Sequence, residues 1–298
     1  MTVRRRVLVT GCRGRLGTEL MRFLSDDFDM LGVDRHDLDV TDSDKVFACI
    51  RTIRPDVVLH TAAVTNVDAC EKDPAGAISV NDTGAGNVAR ACEESHAALV
   101  CYSTDYVFDG RKCKPYTETD LPNPVNRYGQ SKLAGERTVL ALCRGAVVLR
   151  VAWLYGIYGS NFVKSVVQGA RSQQETRGTG KTVAPMRIIE DQTGTPTWTA
   201  EVARQTRTVV ENDLSGVLHA TANGSATWLE WAKLILSELA LVAEIQPCKA
   251  QDFWGGVPRP VSSVLENVRL RKAGMDLMRP WDIALGEFLA QYKRELLA

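Results

Sequence analysis

Val7-Leu8-Val9-Thr10-Gly11-Cys12-Arg13-Gly14-Arg15-Leu16-Gly17 is the stretch that decides the fold. A short apolar run ends at Gly11, and helical periodicity follows from Arg15 to Leu24. Glycines at 11, 14 and 17 let the chain turn tightly between a buried strand and a helix. They also bring bare backbone to the helix amino end, whose partial positive charge suits a pyrophosphate. A strand before and a helix after are the setting that separates a dinucleotide fingerprint from an incidental glycine turn.

The same alternation continues outward. Phe28 to Asp34, Asp56 to His60, Ala97 to Ser103 and Ala146 to Val151 read as buried strands. Thr41 to Ile53 (with Thr41 as its cap), Ala75 to Glu94 and Val125 to Cys143 read as the helices between them. Such a pattern predicts an α/β fold, a doubly wound parallel sheet of Rossmann type. The dinucleotide-binding domain is expected over 1–160 and a smaller C-terminal substrate-binding lobe over 161–298. Residues 186–212 are expected to return to the sheet, as a strand at Met186 to Ile189 and a helix from Thr199. Arg171 to Thr182, polar and glycine-containing, reads as an exposed mobile loop. Thr227 to Leu239 and Trp281 to Leu297 read as helices.

Asp34 ends the second strand about 20 residues after the glycines, where a carboxylate meets an adenosine ribose. Arg35, with Arg13 in the glycine loop, offers instead a bidentate grip on a 2′-phosphate. Both readings stand at this stage, as does a solvated surface charge for Arg35. Asp39 and Val40 lie where an adenine ring would be covered. The small residues after His60, among them Ala62, Ala63 and Thr65, let a cofactor lie against backbone or reflect close packing.

Composition narrows the function. The 298 residues carry 36 Lys+Arg against 36 Asp+Glu, so no net charge draws the chain to nucleic acid. No run approaches the roughly 20 apolar residues needed to cross a bilayer, and no membrane partner is expected. Eight cysteines without a CxxC pair read as reduced thiols of a cytoplasmic protein. Four histidines show no metal-binding spacing, so no metal is expected.

Tyr128-Gly129-Gln130-Ser131-Lys132 carries the chemistry. Residues four apart share a helix face, so phenol and ammonium point into one cleft. The cation is expected to lower the tyrosine pKa, making Tyr128 a proton donor or acceptor. Thr104, ending the fourth strand 24 residues upstream, is placed to bond the same reacting oxygen. Ser103 reads as a strand-end hydroxyl.

With these residues the chain resembles the extended short-chain dehydrogenase/reductases, and among them the dTDP-4-dehydrorhamnose reductase family. The stretches LVTGCRGRLGTEL, PDVVLHTAAVTNVDACEKDP, STDYVFDG, YTETDLPNPVNRYGQSKLAGE, LRVAWLYG, DQTGTPTW and RPVSSVLEN carry the resemblance over nearly the whole chain. It implies a catalytic triplet of Thr104, Tyr128 and Lys132. It implies cofactor contacts at Gly14, Arg15, Leu16, Asp39, Val40, Ala62, Ala63 and Thr65, and sugar contacts at Thr104, Asp105 and Trp153. The implied reaction is reduction of the C4 ketone of a dTDP-linked 6-deoxyhexose, with NADPH favoured by Arg13 and Arg35 and NADH left open. Trp153 is a flat wall for the sugar or a core residue. Arg259 is a diphosphate ligand or a structural loop arginine. Asn161 is a helix cap or a nucleotide contact.

Two departures matter. Arg171 to Pro185 is longer than the family pattern, and the carboxylates that bridge some relatives through magnesium have no match, so neither metal nor homodimer is carried over. Dehydratases and epimerases share the fold, but dehydratases follow the threonine with Asp-Glu, whereas Asp105 is followed here by Tyr106. A non-catalytic regulator resembling the β subunit of methionine adenosyltransferase is the rival of another class.

Overall fold

The computed structural model describes residues 4–178, 183–212 and 214–298. Its central sheet has six strands, all parallel, in the order Gly216–His219, β5 (Val147–Val151), β4 (Ala98–Thr104), β3 (Val57–His60), β1 (Arg6–Thr10), β2 (Asp29–Val33). Alternate side chains of one strand feed opposite faces. Val7 and Val9 bury into a core shared with α1 (Arg15–Phe23) and α8 (Thr199–Glu211). Leu8 buries into a second core with α2 (Ser43–Ile53), α5 (Ala85–Ser95) and α6 (Arg127–Leu142). The doubly wound sheet expected from the alternation is therefore present. Strand order reverses between β1 and β3, so the carboxyl ends of β1, β3 and β4 open onto one crevice.

Local chemistry sets the helix ends. Asp42, not Thr41, caps α2 by accepting from the Lys45 amide. Asn126 caps α6 through the Gly129 amide. The expected long helix from Ala75 to Glu94 is present as one continuous run, α4 (Pro74–Ile78) passing through a π-helical turn (Ser79–Gly84) into α5.

The C-terminal half differs from expectation in two places. Met186–Ile189 does not return to the central sheet; it pairs in parallel with Ile245–Cys248 in a separate two-stranded sheet. The sheet edge beside β5 is taken by Gly216–His219, while Ile188 buries into a third, aromatic core with Tyr155, Trp198, Trp231 and Phe288. The helix of the 186–212 segment does return, α8 packing over α1. Arg171 to Gly178 is no loop but the end of α7 (Phe162–Gly178). Gln173 anchors it with bonds to Ala184 O and to both backbone groups of Glu244, and Arg177 pairs with Glu244 at 2.7 Å. The remaining stretch of that expected loop, 179–182, lies outside the described residues.

Candidate active site

Two adjoining cavities open at the carboxyl ends of the strands. The first, about 600 Å³, is lined by Gly11, Arg13, Gly14, Asp34, Arg35, Asp39, Val40, Ala62 and Ala63, all anticipated as cofactor residues. Gly11 sits at φ 71°, and a Cβ there would lie 2.8 Å from the Ala62 amide nitrogen. A Cβ on Gly17 would fall 2.2 Å from Gly11 O, so Gly17 lets α1 approach the loop and does not touch the cavity. Leu16 is likewise placed beneath it, in the core. Because Gly14 caps α1 without a side chain, no cap oxygen competes for the first-turn amides that face the crevice.

Asp34 resolves the conflict at the end of β2. Its carboxylate accepts from the backbone amides of Arg13, at 3.0 Å, and Arg35, at 2.7 Å. It thereby braces the glycine loop, while neither guanidinium has an ion pair among the described residues. Two unpaired cations on one cavity rim suit a phosphate better than a neutral ribose edge. Asp39 is bound by the amide and hydroxyl of Thr41, which hold its carboxyl below the usual range.

The second cavity, about 340 Å³, is lined by Arg15, Thr65, Thr104, Asp105, Tyr128, Trp153 and Asn161. Thr104 ends β4, its hydroxyl donating to Asp105 Oδ1 at 3.0 Å and accepting from the Tyr106 amide at 3.2 Å. Tyr128 stands in the first turn of α6, half-buried, on the same cavity wall as Thr104 and edge-on to Tyr106 at 5.7 Å. Its acidity runs opposite to expectation. Burial pushes the phenol well above its ordinary value, and the Thr104 hydroxyl recovers only part of the shift. A phenol held neutral is a proton donor, which is what a carbonyl being reduced needs. Burial also lifts Asp105 to about 6, against the hydrogen bond from Thr104, and its other carboxylate oxygen has no partner among the described residues.

Lys132, one turn beyond Tyr128, lines neither cavity wall; it is buried, and its ammonium has no hydrogen bond or ion pair among the described residues. Its charge, after burial itself, helps press His60 at the end of β3 down to about 3, so that histidine is neutral and bonds Thr10 at 2.7 Å. A buried cation without a partner, a glycine cradle and free arginines are together a fit for an anionic dinucleotide.

Two anticipated substrate residues have side chains engaged within the fold, although Asn161 also lines the cavity. Asn161 accepts from the Lys164 amide and donates to Gly156 O, so its side chain acts as the cap of α7. Arg259 lies outside the cavity lining, paired with Asp68 at 3.0 Å and stacked on Trp254 at 3.8 Å. Trp153 does face the cavity, at φ 43° and stacked on Trp228.

The comparisons agree with this geometry. A family model described as RmlD substrate binding domain matches residues 5–294. The chain belongs to the RmlD family. A Streptomyces niveus protein named dTDP-4-keto-6-deoxy-D-glucose reductase is 37% identical, covering 94% of this chain and 95% of that one. A dTDP-4-dehydrorhamnose reductase of Aggregatibacter actinomycetemcomitans is 32% identical over 94% and 97% of the two chains. Among solved structures, the Bacillus anthracis dTDP-4-dehydrorhamnose reductase in complex with NADP has a TM-score of 0.91 at 34% identity, covering 97% of this chain and all 100% of its own.

Several site residues of this RmlD family member escaped the sequence reading. Thr41 and the π-helical Ser79 and Val80 line the first cavity; Tyr106, Phe162, Trp228 and Trp231 line the second. Tyr106 sits two residues after Thr104 and could have been found from that spacing. The α9 (Trp228–Glu238) tryptophans gave only a helix-start signal.

Proposed function

We propose that this RmlD family member reduces the C4 ketone of a dTDP-4-keto-6-deoxyhexose, dTDP-4-dehydrorhamnose to dTDP-L-rhamnose, with NADPH. One observation carries the reading: the Tyr128 phenol, held neutral by desolvation, shares one cavity wall with Thr104 beside the glycine-lined cavity, with the unpaired Lys132 a turn along the same helix. The names of the relatives, and the NADP in the Bacillus anthracis structure, support the substrate and cofactor.

NADPH, when bound, supplies the hydride. Arg13 and Arg35 are placed to hold its 2′-phosphate, the first-turn amides of α1 its pyrophosphate and Lys132 the nicotinamide ribose. Tyr128 breaks its O–H bond to protonate the carbonyl oxygen, and Thr104 orients that oxygen; fixing both in one geometry removes an entropic cost. Tyr106 occupies the place where an elimination would need a second carboxyl acid, and its ring packs on Tyr128 instead. We take 1–160 as the cofactor half and 161–298, with its aromatic core, as the substrate half. Eight unpaired cysteines support a reducing compartment, the cytoplasm; among the described residues no helix is long and apolar enough to cross a membrane.

The test is direct. Incubation with dTDP-4-keto-6-deoxyglucose, a 3,5-epimerase and NADPH should consume the reduced nicotinamide absorbance and yield a dTDP-6-deoxyhexose. NADPH binding without consumption would instead support a non-catalytic regulator.

A further inference from the structure

Asn81 lines neither cavity, yet its side chain ties the wall of one to the wall of the other. It sits in the π-helical turn Ser79–Gly84 and is buried, 1% exposed. An α-helix turns about 100° per residue, so the extra residue of a π turn swings the side chains to a new bearing. On that bearing Asn81 meets two other segments. Its amide oxygen accepts from the Val64 backbone N–H at 2.8 Å and its amide nitrogen donates to the Val64 carbonyl at 2.9 Å, a two-point grip. The same nitrogen donates to the Ser131 hydroxyl at 2.9 Å, and that hydroxyl donates to the Tyr128 carbonyl at 2.8 Å.

The two ends of this chain of bonds belong to different halves of the site. Val64 follows Ala62 and Ala63 in the wall of the first cavity, where Ser79 and Val80 also stand. Tyr128 lines the second. Helix α6 is pressed onto the same turn: a Cβ on Gly135 would fall 2.0 Å from Asn81 O, and the Thr138 hydroxyl donates to Asp82 at 2.6 Å.

We propose that Asn81 is a positioning residue for the reduction, setting the spacing between the loop at Ala62–Val64 and the turn of α6 that carries Tyr128 and Lys132. The proposal rests on the ketoreductase reading above. Hydride and proton must reach the carbon and the oxygen of one carbonyl, the first from a cofactor lying on the loop, the second from Tyr128. A shift of about 1 Å between those two elements slows transfer by up to about 100-fold. Loss of a purely structural asparagine would remove folded protein instead, and leave the surviving molecules at full rate.

The experiment follows one turnover. Protein loaded with NADPH is mixed in a stopped flow with excess dTDP-4-keto sugar prepared with the 3,5-epimerase. Amplitude at the nicotinamide band counts competent molecules, and the rate constant reports the geometry of transfer. Asn81→Ala should slow the turnover about 10- to 100-fold at full amplitude, with NADPH affinity by fluorescence within about threefold of the parent's. Ser131→Ala keeps the Val64 grip and cuts only the link to Tyr128. It should slow transfer about three- to tenfold, the worth of one hydrogen bond, and it decides the matter if Asn81→Ala does not fold. The double variant should be little slower than Asn81→Ala, because the two residues act as one unit. A rate constant within about twofold of the parent's in the folded variants overturns the proposal. So do effects that multiply in the double variant, a loss confined to amplitude, or a loss confined to NADPH affinity, which would leave Asn81 serving the loop alone. If the intact protein shows no turnover at all, the ketoreductase reading fails and this proposal with it.

Discussion

Replacing Tyr128 with Phe removes one oxygen from a site built so that its loss strands nothing. The Thr104 hydroxyl keeps its bond to Asp105 and still accepts from the Tyr106 amide. No buried polar group is left unpaired, so unfolding in urea should shift by no more than about 1 kcal/mol. The edge-on packing of the ring on Tyr106 is also kept. The rate is another matter. A positioned general acid contributes about 10²- to 10⁴-fold, which at 1.36 kcal/mol per tenfold is about 3–5 kcal/mol of barrier. The assay is steady-state consumption of NADPH with the dTDP-4-keto sugar, alongside NADPH binding by fluorescence. Expected is a fall in kcat of that size with cofactor affinity unchanged, because no atom of the glycine cradle is altered. Turnover within tenfold of the parent, in a variant that binds NADPH normally, would refute Tyr128 as the proton donor.

Three other outcomes follow from the same structure. Gly17→Ala drives a methyl to 2.2 Å from the Gly11 carbonyl, so α1 must move off the loop; NADPH affinity should fall at least about tenfold and Tm should drop, and an unchanged titration would contradict the close approach. Arg35→Ala should raise the KM for NADPH about tenfold and leave that for NADH alone, as expected for one lost charge-assisted phosphate bond; equal effects on both cofactors would return Arg35 to the solvated surface. His219, buried beside Arg150, is pressed by burial from 6.5 to about 3. Its folded value lies below the unfolded one, so its neutral form stabilises the fold above pH 6.5 and that contribution drains away as pH falls towards 3, by about 1.4 kcal/mol per unit. Urea titrations at pH 6.5 and 5 should show a smaller acid loss in His219→Gln, by about 2 kcal/mol; an identical loss would mean the ring is charged in the fold.

The N-terminal half of this protein is written in short-range pattern. Gly11, Gly14 and Gly17 have to stand at those spacings because a strand must turn into a helix over bare backbone, and that demand is local. Tyr128 and Lys132 share a face because 3.6 residues make a turn. Both signals survive in a one-dimensional string, as did Thr104 at the end of its strand. The C-terminal half is not written that way. Met186-Arg187-Ile188-Ile189 and Gly216-Val217-Leu218-His219 are both plausible strands by composition, and only the free edge beside β5 chose the second.

The residues themselves therefore determined the Rossmann architecture, the glycine cradle and the Tyr128–Lys132 pair, since each depends on neighbours within a few positions. Folding alone decided the aromatic wall, where Trp153 meets Trp228 across 75 positions of chain, and the pairing of Arg259 with Asp68 across 191. It also decided the protonation of Tyr128. The sequence displays the ammonium four residues away, but the shift is set mainly by how much water the surrounding chain removes from the phenol, and desolvation is a property of packing rather than of spacing.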